Sequence, residues 1–256
     1  MRFSVVIPVY NNKEWLPKCF DSVLNQTFTD YEVILVNDMS TDGNEKIIKE
    51  YKSKFKEKCR GIKIINNKTK RLNGGTRNVG IAEATGEYIV FIDCDDWFKN
   101  NKVFEEINKA LVDEDLLFIG YEFHAENMDK PNILKYEKIS EAIMDVTCAP
   151  WTKVVKTSIL KETPFPEGTL FEDRIFHYRL LMKIKSFKCL EKALYVWNRT
   201  NIQTICNRSD YVFYRFNYCG ELYRLIKDIG EHEQKEFLKN ELKGYLKSCN
   251  EMVEKL

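Results

Sequence analysis

The side chains that could do chemistry converge first at Asp93, Asp95 and Asp96, which follow directly on the apolar run Tyr88-Ile-Val-Phe-Ile92. Three carboxylates this close repel one another unless a cation or hydrogen-bond donors hold them. Hard oxygen ligands of this kind suit Mg²⁺ or Mn²⁺, which keep one or two carboxylates and take their other ligands from water and phosphate. The triad therefore reads as the site of a metal-bound diphosphate, or else as an acidic turn that caps the next helix. The two readings separate on what the rest of the chain brings to the same place.

The apolar run is short and rich in Ile, Val, Phe and Tyr, the pattern of a strand buried on both faces, so its end is fixed in space. Upstream, Phe3 to Val9 predicts another buried strand, and Leu16, Phe20, Val23 and Leu24 predict a helix over about 13–25, with Pro17 tolerated in its first turn. Tyr31 to Val36 is the next strand, followed by the polar loop Asn37 to Gly43 and a helix marked by Ile47, Ile48, Tyr51 and Phe55. Ile62 to Ile65 is the third strand. Gly74-Gly75 lead into a helix carrying Arg77, Asn78, Ile81 and Ala84, which Gly86 is expected to end. Strand and helix alternate through four strands with connections too long for hairpins, which predicts an α/β fold with a parallel, doubly wound sheet.

In such sheets ligands bind beyond the carboxyl ends of the strands. The unusual polar clusters lie there: Tyr10 to Asn12, Asp38 to Asp42, Asn66 to Gly75, and Asp93 to Asp96. Beyond Trp97 the alternation loosens. Val103, Phe104, Ile107 and Leu111 predict a helix, Leu116 to Phe123 a strand, and Ser140 to Met144 a short helix. Trp151 to Lys156 and Leu194 to Trp197 fit either strands or the floor of a cleft, Pro164 to Gly168 break the chain, and the text is helical from Tyr211 on.

Composition bounds the partners. Forty basic against 39 acidic side chains give +1, so no overall field recruits nucleic acid, and any polyanion site must be local. The eight cysteines, Cys206 among them, form no C-x-x-C pair, which predicts reduced thiols and a cytoplasmic chain. No run approaches the roughly 18 to 20 apolar residues of a membrane span, which leaves at most a peripheral place at the membrane's inner face.

Four segments, Ser4 to Asn12 (SVVIPVYNN), Val36 to Gly43 (VNDMSTDG), Gly74 to Gly80 (GGTRNVG) and Gly86 to Trp97 (GEYIVFIDCDDW), resemble in order and spacing the family 2 glycosyltransferases. These are bacterial enzymes of the GT-A fold that move a sugar from a nucleotide diphosphate to an acceptor hydroxyl. Past residue 100 the resemblance thins to Phe171-Glu-Asp173 and Tyr195 to Thr200. It implies a Rossmann-like GT-A domain in which residues 1–100 bind the nucleotide sugar and 101–210 the acceptor, with 211–256 as C-terminal helices.

Carried over by position, the resemblance implies that Pro8 and Tyr10 pack on the nucleobase, with Val9 and Asn12 beside them, and that Asp38 hydrogen-bonds the base, with uridine the expected one. Asp93 would face the ribose and Arg77. Asp95, with Asp93, would bind the Mn²⁺ or Mg²⁺ that bridges the diphosphate, and Cys94 would be a small spacer in the nucleotide site. Asp96 would be structural. Asn67 and Asp42 would join the nucleotide site, although cap and turn duties explain both equally well. Family members invert the anomeric centre, so a base must take the acceptor's proton. Asp173 matches that position and Glu172 is the alternate, while an acidic first helical turn explains both residues too. His177 and Arg199 could reach the diphosphate, or be packing and a solvated cation. Departures from the family form are Thr76, where Ala is usual, and the loop Lys70-Arg-Leu-Asn73.

The implied partners are a UDP-sugar donor and a saccharide or lipid-linked saccharide acceptor, as in cell-surface polysaccharide synthesis. Two rivals differ by class. A nucleotidyltransferase would need a glycine-rich basic loop after the first strand, where the chain has Tyr10-Asn-Asn-Lys-Glu-Trp15; a non-catalytic sugar-nucleotide-binding protein would lose a base or metal residue, and both are present. In the last helix, expected over about 231–256, Leu238, Leu242, Tyr245, Cys249, Met252 and Leu256 form one seam, with Lys235, Lys239, Lys243 and Lys247 beside it. The seam predicts docking on the body or on a second copy, and the lysines leave an anionic membrane surface open as the alternative.

Overall fold

In the computed structural model, residues 1–125, 131–145, 147–201, 211–230 and 232–253 are described. The β-branched run Phe3–Val9 forms β1, buried along its whole length, because strands lie on both sides of it. β2 (Tyr31–Asn37) and β4 (Tyr88–Phe91) flank it in parallel, with Val5 opposite Val33 and Val90, and β3 (Gly61–Asn66) adds a half-buried edge beside β2. The helices between them are α1 (Leu16–Leu24), α2 (Glu45–Lys58) and α3 (Leu72–Glu83). Phe20 of α1 meets Tyr51 and Phe55 of α2 edge-on, at 5.2 and 6.0 Å between ring centres.

The parallel winding expected from the alternation holds through these four strands, and the sheet then becomes mixed. Its full order is β3-β2-β1-β4-β7-β6-β8-β5. β5 is the two-residue strand Trp97–Phe98, β6 is Leu116–His124, β7 is Lys153–Lys156 and β8 is Phe187–Asn198. β7 runs antiparallel to both β4 and β6, β8 lies parallel to β6, and β5 pairs antiparallel with β8. One continuous sheet of eight strands thus crosses residue 100 without a break. Helices α4 (Val103–Ala110), α5 (Ile139–Met144), α6 (Thr157–Lys161), α7 (Glu172–Leu181), α8 (Tyr211–Asp228) and α9 (Lys235–Val253) complete it, with a 3-10 turn at Pro150–Thr152 leading into β7.

Three expectations need correction. α1 starts at Leu16 rather than near Lys13, because Pro17, which lacks an N–H, fits only at the helix start. Gly86 does not end α3, which stops at Glu83; a Cβ there would lie 2.6 Å from the Phe3 carbonyl carbon and Ser4 nitrogen, so Gly86 is required by the close approach of two chain segments. β8 begins at Phe187, well before Leu194, and its first half carries Lys188, Glu191 and Lys192, whose charge hides the strand in the sequence.

The C-terminal seam docks on the body. Leu238 and Cys249 are fully buried, Leu242 and Tyr245 pack against the core, and Glu241 accepts hydrogen bonds from Arg174 (3.0 Å) and Tyr178 (3.2 Å) of α7. The Met252 side chain, Leu256 and Cys206 lie outside the described residues. None of the seven described cysteines forms a disulfide, and among the described residues no helix is long and apolar enough to cross a membrane.

Candidate active site

The loops at the carboxyl ends of β1 and β2 are stitched together by asparagine and aspartate side chains. Asn11 and Asn12 both take positive φ, 58° and 63°, a region Asn tolerates better than other residues with a Cβ. From there Asn11 Oδ1 accepts the Thr41 N–H at 2.9 Å, and Asp42 accepts the Lys13 N–H at 2.8 Å. Asp42 therefore ties the loop after β2 to the turn that precedes α1.

Asp38 is 2% exposed, and its carboxylate organises the loop that follows β3. It accepts from Asn67 Nδ2 (2.8 Å) and from the backbone N–H groups of Arg71 (2.9 Å) and Leu72 (3.0 Å), while the Lys70 ammonium lies 3.4 Å away. Lys70 also sits over the Tyr10 ring, which is 46% exposed at the mouth of β1. Asn67 joins this group and approaches Thr76 at 3.4 Å, so the departure at Thr76 supplies a contact rather than a gap. Pro8 and Val9 are buried within β1, where the Val9 carbonyl accepts the Asp38 N–H at 2.7 Å.

At the end of β4 the three carboxylates have three different partners. Asp93 Oδ1 receives Arg77 Nη2 at 2.7 Å. Asp95 Oδ2 receives the side-chain amide of Asn201 at 2.7 Å, and the same amide reaches Asn12 Oδ1 at 3.1 Å. Asp96 is buried and accepts from the Tyr195 hydroxyl (2.6 Å) and the Asn198 N–H (2.8 Å), which is the structural role expected for it. Burial and the neighbouring Asp93 charge push Asp95 above the usual carboxylate range, and burial with Asp95 and Asp93 pushes Asp96 further. Cys94 between them is buried, touches Asn12 Nδ2 at 3.5 Å, and has its thiol pushed up by burial, the opposite of the shift that activates a thiol.

Arg77 reaches across to the second half. Only 2% exposed, it gives its other arm to Glu172 Oε1 at 2.8 Å, and α3 can lie this close to the start of α7 because Gly74 has no side chain. A Cβ at Gly74 would stand 2.5 Å from the Pro166 carbonyl oxygen and 2.9 Å from Glu172 Cγ. Burial lowers the Arg77 pKa, but Asp93 and Glu172 more than reverse this and hold the guanidinium charged. Burial, reinforced by Asp173, pushes Glu172 up to about 7 against the pull of Arg77. Phe171, just before, has φ 65°, a strained value for an aromatic residue that turns the chain into α7.

Asp173 is half-buried, with Oδ1 taking the Arg174 N–H at 2.8 Å and Oδ2 taking the Cys148 thiol at 3.3 Å. Of the two acidic residues it is the more accessible, since Glu172 is 6% exposed and committed to Arg77. His177 is 1% exposed with Nε2 2.8 Å from the Ala142 carbonyl, and burial holds it well below its ordinary pKa; it is packing between α5 and α7. Arg199 is exposed and lies over the Trp197 ring at 4.7 Å.

Among the described residues no three His, Cys, Asp or Glu side chains gather as a metal cage. Mg²⁺ and Mn²⁺ do not need one: one or two carboxylates suffice when phosphate and water complete the shell. Asp93 and Asp95 supply that number from one strand end, so the donor set fits such an ion.

The chain matches the model of glycosyl transferase family 2 over residues 4–181, which include both acidic clusters. The chain belongs to this family. Among its relatives, glycosyltransferase GlyA of Streptococcus pneumoniae is 29% identical over 77% of this chain and 30% of its own length. The poly(ribitol-phosphate) beta-N-acetylglucosaminyltransferase TarS of Staphylococcus aureus is 30% identical over 76% of this chain and 35% of its own. The chain therefore spans about a third of the length of these relatives. The crystal structure of TarS residues 1–349 in complex with UDP-GlcNAc superposes with a TM-score of 0.74 over 96% of this chain and 72% of that one at 23% identity. A mannosyltransferase from Pyrobaculum calidifontis, in complex with GDP-Man and Mn²⁺, superposes with a TM-score of 0.63 over 94% of this chain and 69% of that one at 15% identity. The fold of this family 2 chain is GT-A.

What the sequence did not show is which side chains hold the acidic clusters. Asn201, Tyr195, Lys70 and Cys148 each touch a candidate residue from a distant segment. Tyr195 carried a signal, as part of the segment Tyr195 to Thr200 that the resemblance includes, and Lys70 lay in the loop that departs from the family form; Asn201 and Cys148 carried none.

Proposed function

We propose that the chain is an inverting glycosyltransferase that moves a sugar from a UDP-sugar to an acceptor hydroxyl of a cell-surface polysaccharide or glycoconjugate. The observation that carries this reading is the Arg77 bridge, which ties Asp93 at the end of β4 to Glu172 beside Asp173. One buried cation thus sets the donor-side carboxylates against the acceptor-side acid. The names of the relatives, and the UDP-GlcNAc bound in TarS, agree with it.

In this reading residues 1–100 bind the donor and 101–210 the acceptor. Tyr10, about half exposed with the Lys70 ammonium over its ring, would stack on the nucleobase, with Pro8 and Val9 forming the buried floor and Asn12 and Asn67 the rim. Asp38 fixes the loop after β3 around that face and offers the base an edge partner. Asp95, with Asp93, would hold Mn²⁺ or Mg²⁺, which when bound would absorb negative charge on the leaving diphosphate. Asp173 takes the proton of the acceptor hydroxyl as that oxygen attacks from the face opposite the diphosphate. Glu172, buried against Arg77, positions α7 rather than acting as the base.

The test is thermal unfolding with a panel of UDP- and GDP-sugars, with and without Mn²⁺. A ligand that binds only the folded chain at about a hundred times its Kd stabilises it by about 2.7 kcal/mol. A rise with UDP-sugars that needs Mn²⁺ supports the reading; a rise with a nucleoside triphosphate alone would favour nucleotidyl transfer instead.

A further inference from the structure

Lys153, the first residue of β7, is 1% exposed, and among the described residues no carboxylate lies within ion-pair distance of it. Its ammonium is held by three oxygens: the carbonyls of Thr147 (3.3 Å) and Ala149 (3.0 Å) and the Thr152 hydroxyl (3.0 Å). An ammonium taken out of water loses several kcal/mol of hydration, and apolar neighbours such as the Phe118 ring at 5.9 Å return little of it. A methionine would fill the same volume without that loss.

The three oxygens belong to the 147–152 turn, which has a contact on each side of the site. Cys148 in this turn donates its thiol to Asp173 Oδ2 at 3.3 Å. Trp151 stacks flat on Tyr195, with ring centres 4.3 Å apart and planes 1° from parallel, and the Tyr195 hydroxyl accepts the Asp93 N–H (3.1 Å) while donating to Asp96. Lys153 is therefore the peg on which one turn hangs between the two acidic clusters.

We propose that Lys153 is a positioning residue for Asp173, holding the 147–152 turn through its three hydrogen bonds so that Cys148 fixes the carboxylate, and placing a buried positive charge behind it. This rests on the reading of Asp173 as the base. Burial pulls Lys153 down to about 8, which leaves it mostly charged at neutral pH. The groups facing it are Cys148, Asp173 and Asp145, with His177 also in its field. Those facing Asp173 are Cys148 from the turn, Lys153 from β7, Glu172 and Arg174 on its own helix, and Arg77 from α3.

The experiment reads the carboxylate directly. The side-chain ¹³C resonance of Asp173, assigned by its loss in Asp173→Asn, is titrated in the wild-type chain, in Lys153→Met and in Cys148→Ala. An opposite charge nearby favours the ionised form of a carboxylate, so the Asp173 resonance is expected to titrate at higher pH in Lys153→Met than in the wild-type chain. Cys148→Ala is expected to raise it by a smaller step that Cys148→Ser reverses, and this pair carries the test if Lys153→Met does not fold. An unchanged midpoint in a folded Lys153→Met, or in Cys148→Ala, overturns the proposal. Hydrolysis of UDP-GlcNAc by Asp173→Asn separates the two readings: wild-type rates there overturn the base assignment itself, and this proposal with it, whereas a dead Asp173→Asn beside an unshifted Lys153→Met overturns only the role of Lys153.

Discussion

Arg77 and Glu172, 95 positions apart in the chain, meet at 2.8 Å inside the protein, and the second arm of the same guanidinium holds Asp93 at 2.7 Å. The buried pair fixes the distance between the end of β4 and the start of α7. Replacing a buried ion pair with apolar groups can be neutral, but removing one partner strands the other's charge.

Arg77→Met is thus expected to destabilise the chain by about 3–5 kcal/mol in urea unfolding, with much of the loss recovered in the double variant Arg77→Met, Glu172→Gln. A single-variant loss below about 1 kcal/mol would show that the pair does not hold α3 to α7.

Asp95→Asn is expected to keep the wild-type melting temperature and to lose the Mn²⁺-dependent stabilisation by UDP-sugars. Asp95 is pushed up by burial and by Asp93, so removing one charge relieves repulsion between the carboxylates while taking away a hard oxygen ligand. Isothermal titration with Mn²⁺ and UDP checks this, and unaltered affinity in the variant would remove Asp95 from the metal site.

Asp173→Asn is expected to lower sugar transfer by about 10²- to 10⁴-fold, the usual contribution of a general base, while UDP affinity stays within a few-fold. Glu172→Gln should act mainly through stability, since its carboxylate is committed to Arg77. A larger rate loss in a stable Glu172→Gln would exchange the two roles.

The reach of the sequence can be judged at these same residues. The first four strands were legible because each is an apolar run with no competing period, and the polar clusters fell at their carboxyl ends as doubly wound sheets require. The antiparallel insertion of β7 between β4 and β6 was not, since the four residues Lys153 to Lys156 carry no pairing direction. At the site, Asp93 and Arg77 could be paired from the resemblance, but Glu172 entered only as a spare base. Nothing local marks a glutamate that will pair 95 residues away; Gly74 is the trace, and its second purpose shows only once Pro166 lies against it. Asn201 was invisible for the same reason, as one polar residue in a polar stretch.

Lys153 gives a pH signature in stability. Burial lowers its pKa from 10.5 to about 8, so the folded chain holds this proton less tightly than the unfolded one. The sign follows: stability from this group is fully present above 10.5 and is lost as pH falls through 8. At about 1.4 kcal/mol per unit this amounts to about 3 kcal/mol. The stability of wild type minus that of Lys153→Met should therefore rise between pH 8 and 10.5 in urea titrations; a flat difference would mean the amine titrates as if exposed.

The C-terminal helix gives the last expectation, because its seam separates docking on the body from a free surface. Leu238 and Cys249 are fully buried and Leu242 is packed on the core, whereas Leu246, on the same helix, is 41% exposed. Leu238→Ala should cost about 2–5 kcal/mol, the range for emptying a buried leucine site, and Leu242→Asp about 1–3 kcal/mol for placing a polar group against apolar neighbours. Leu246→Asp should leave stability within about 0.5 kcal/mol, as surface changes usually do. Thermal unfolding and light scattering of the three variants check this together. If Leu246→Asp alone changed the mass or abolished sedimentation with anionic vesicles, the exposed side of α9 would be a contact surface in its own right. Equal stability in all three would mean that the helix contributes nothing to the fold it lies on.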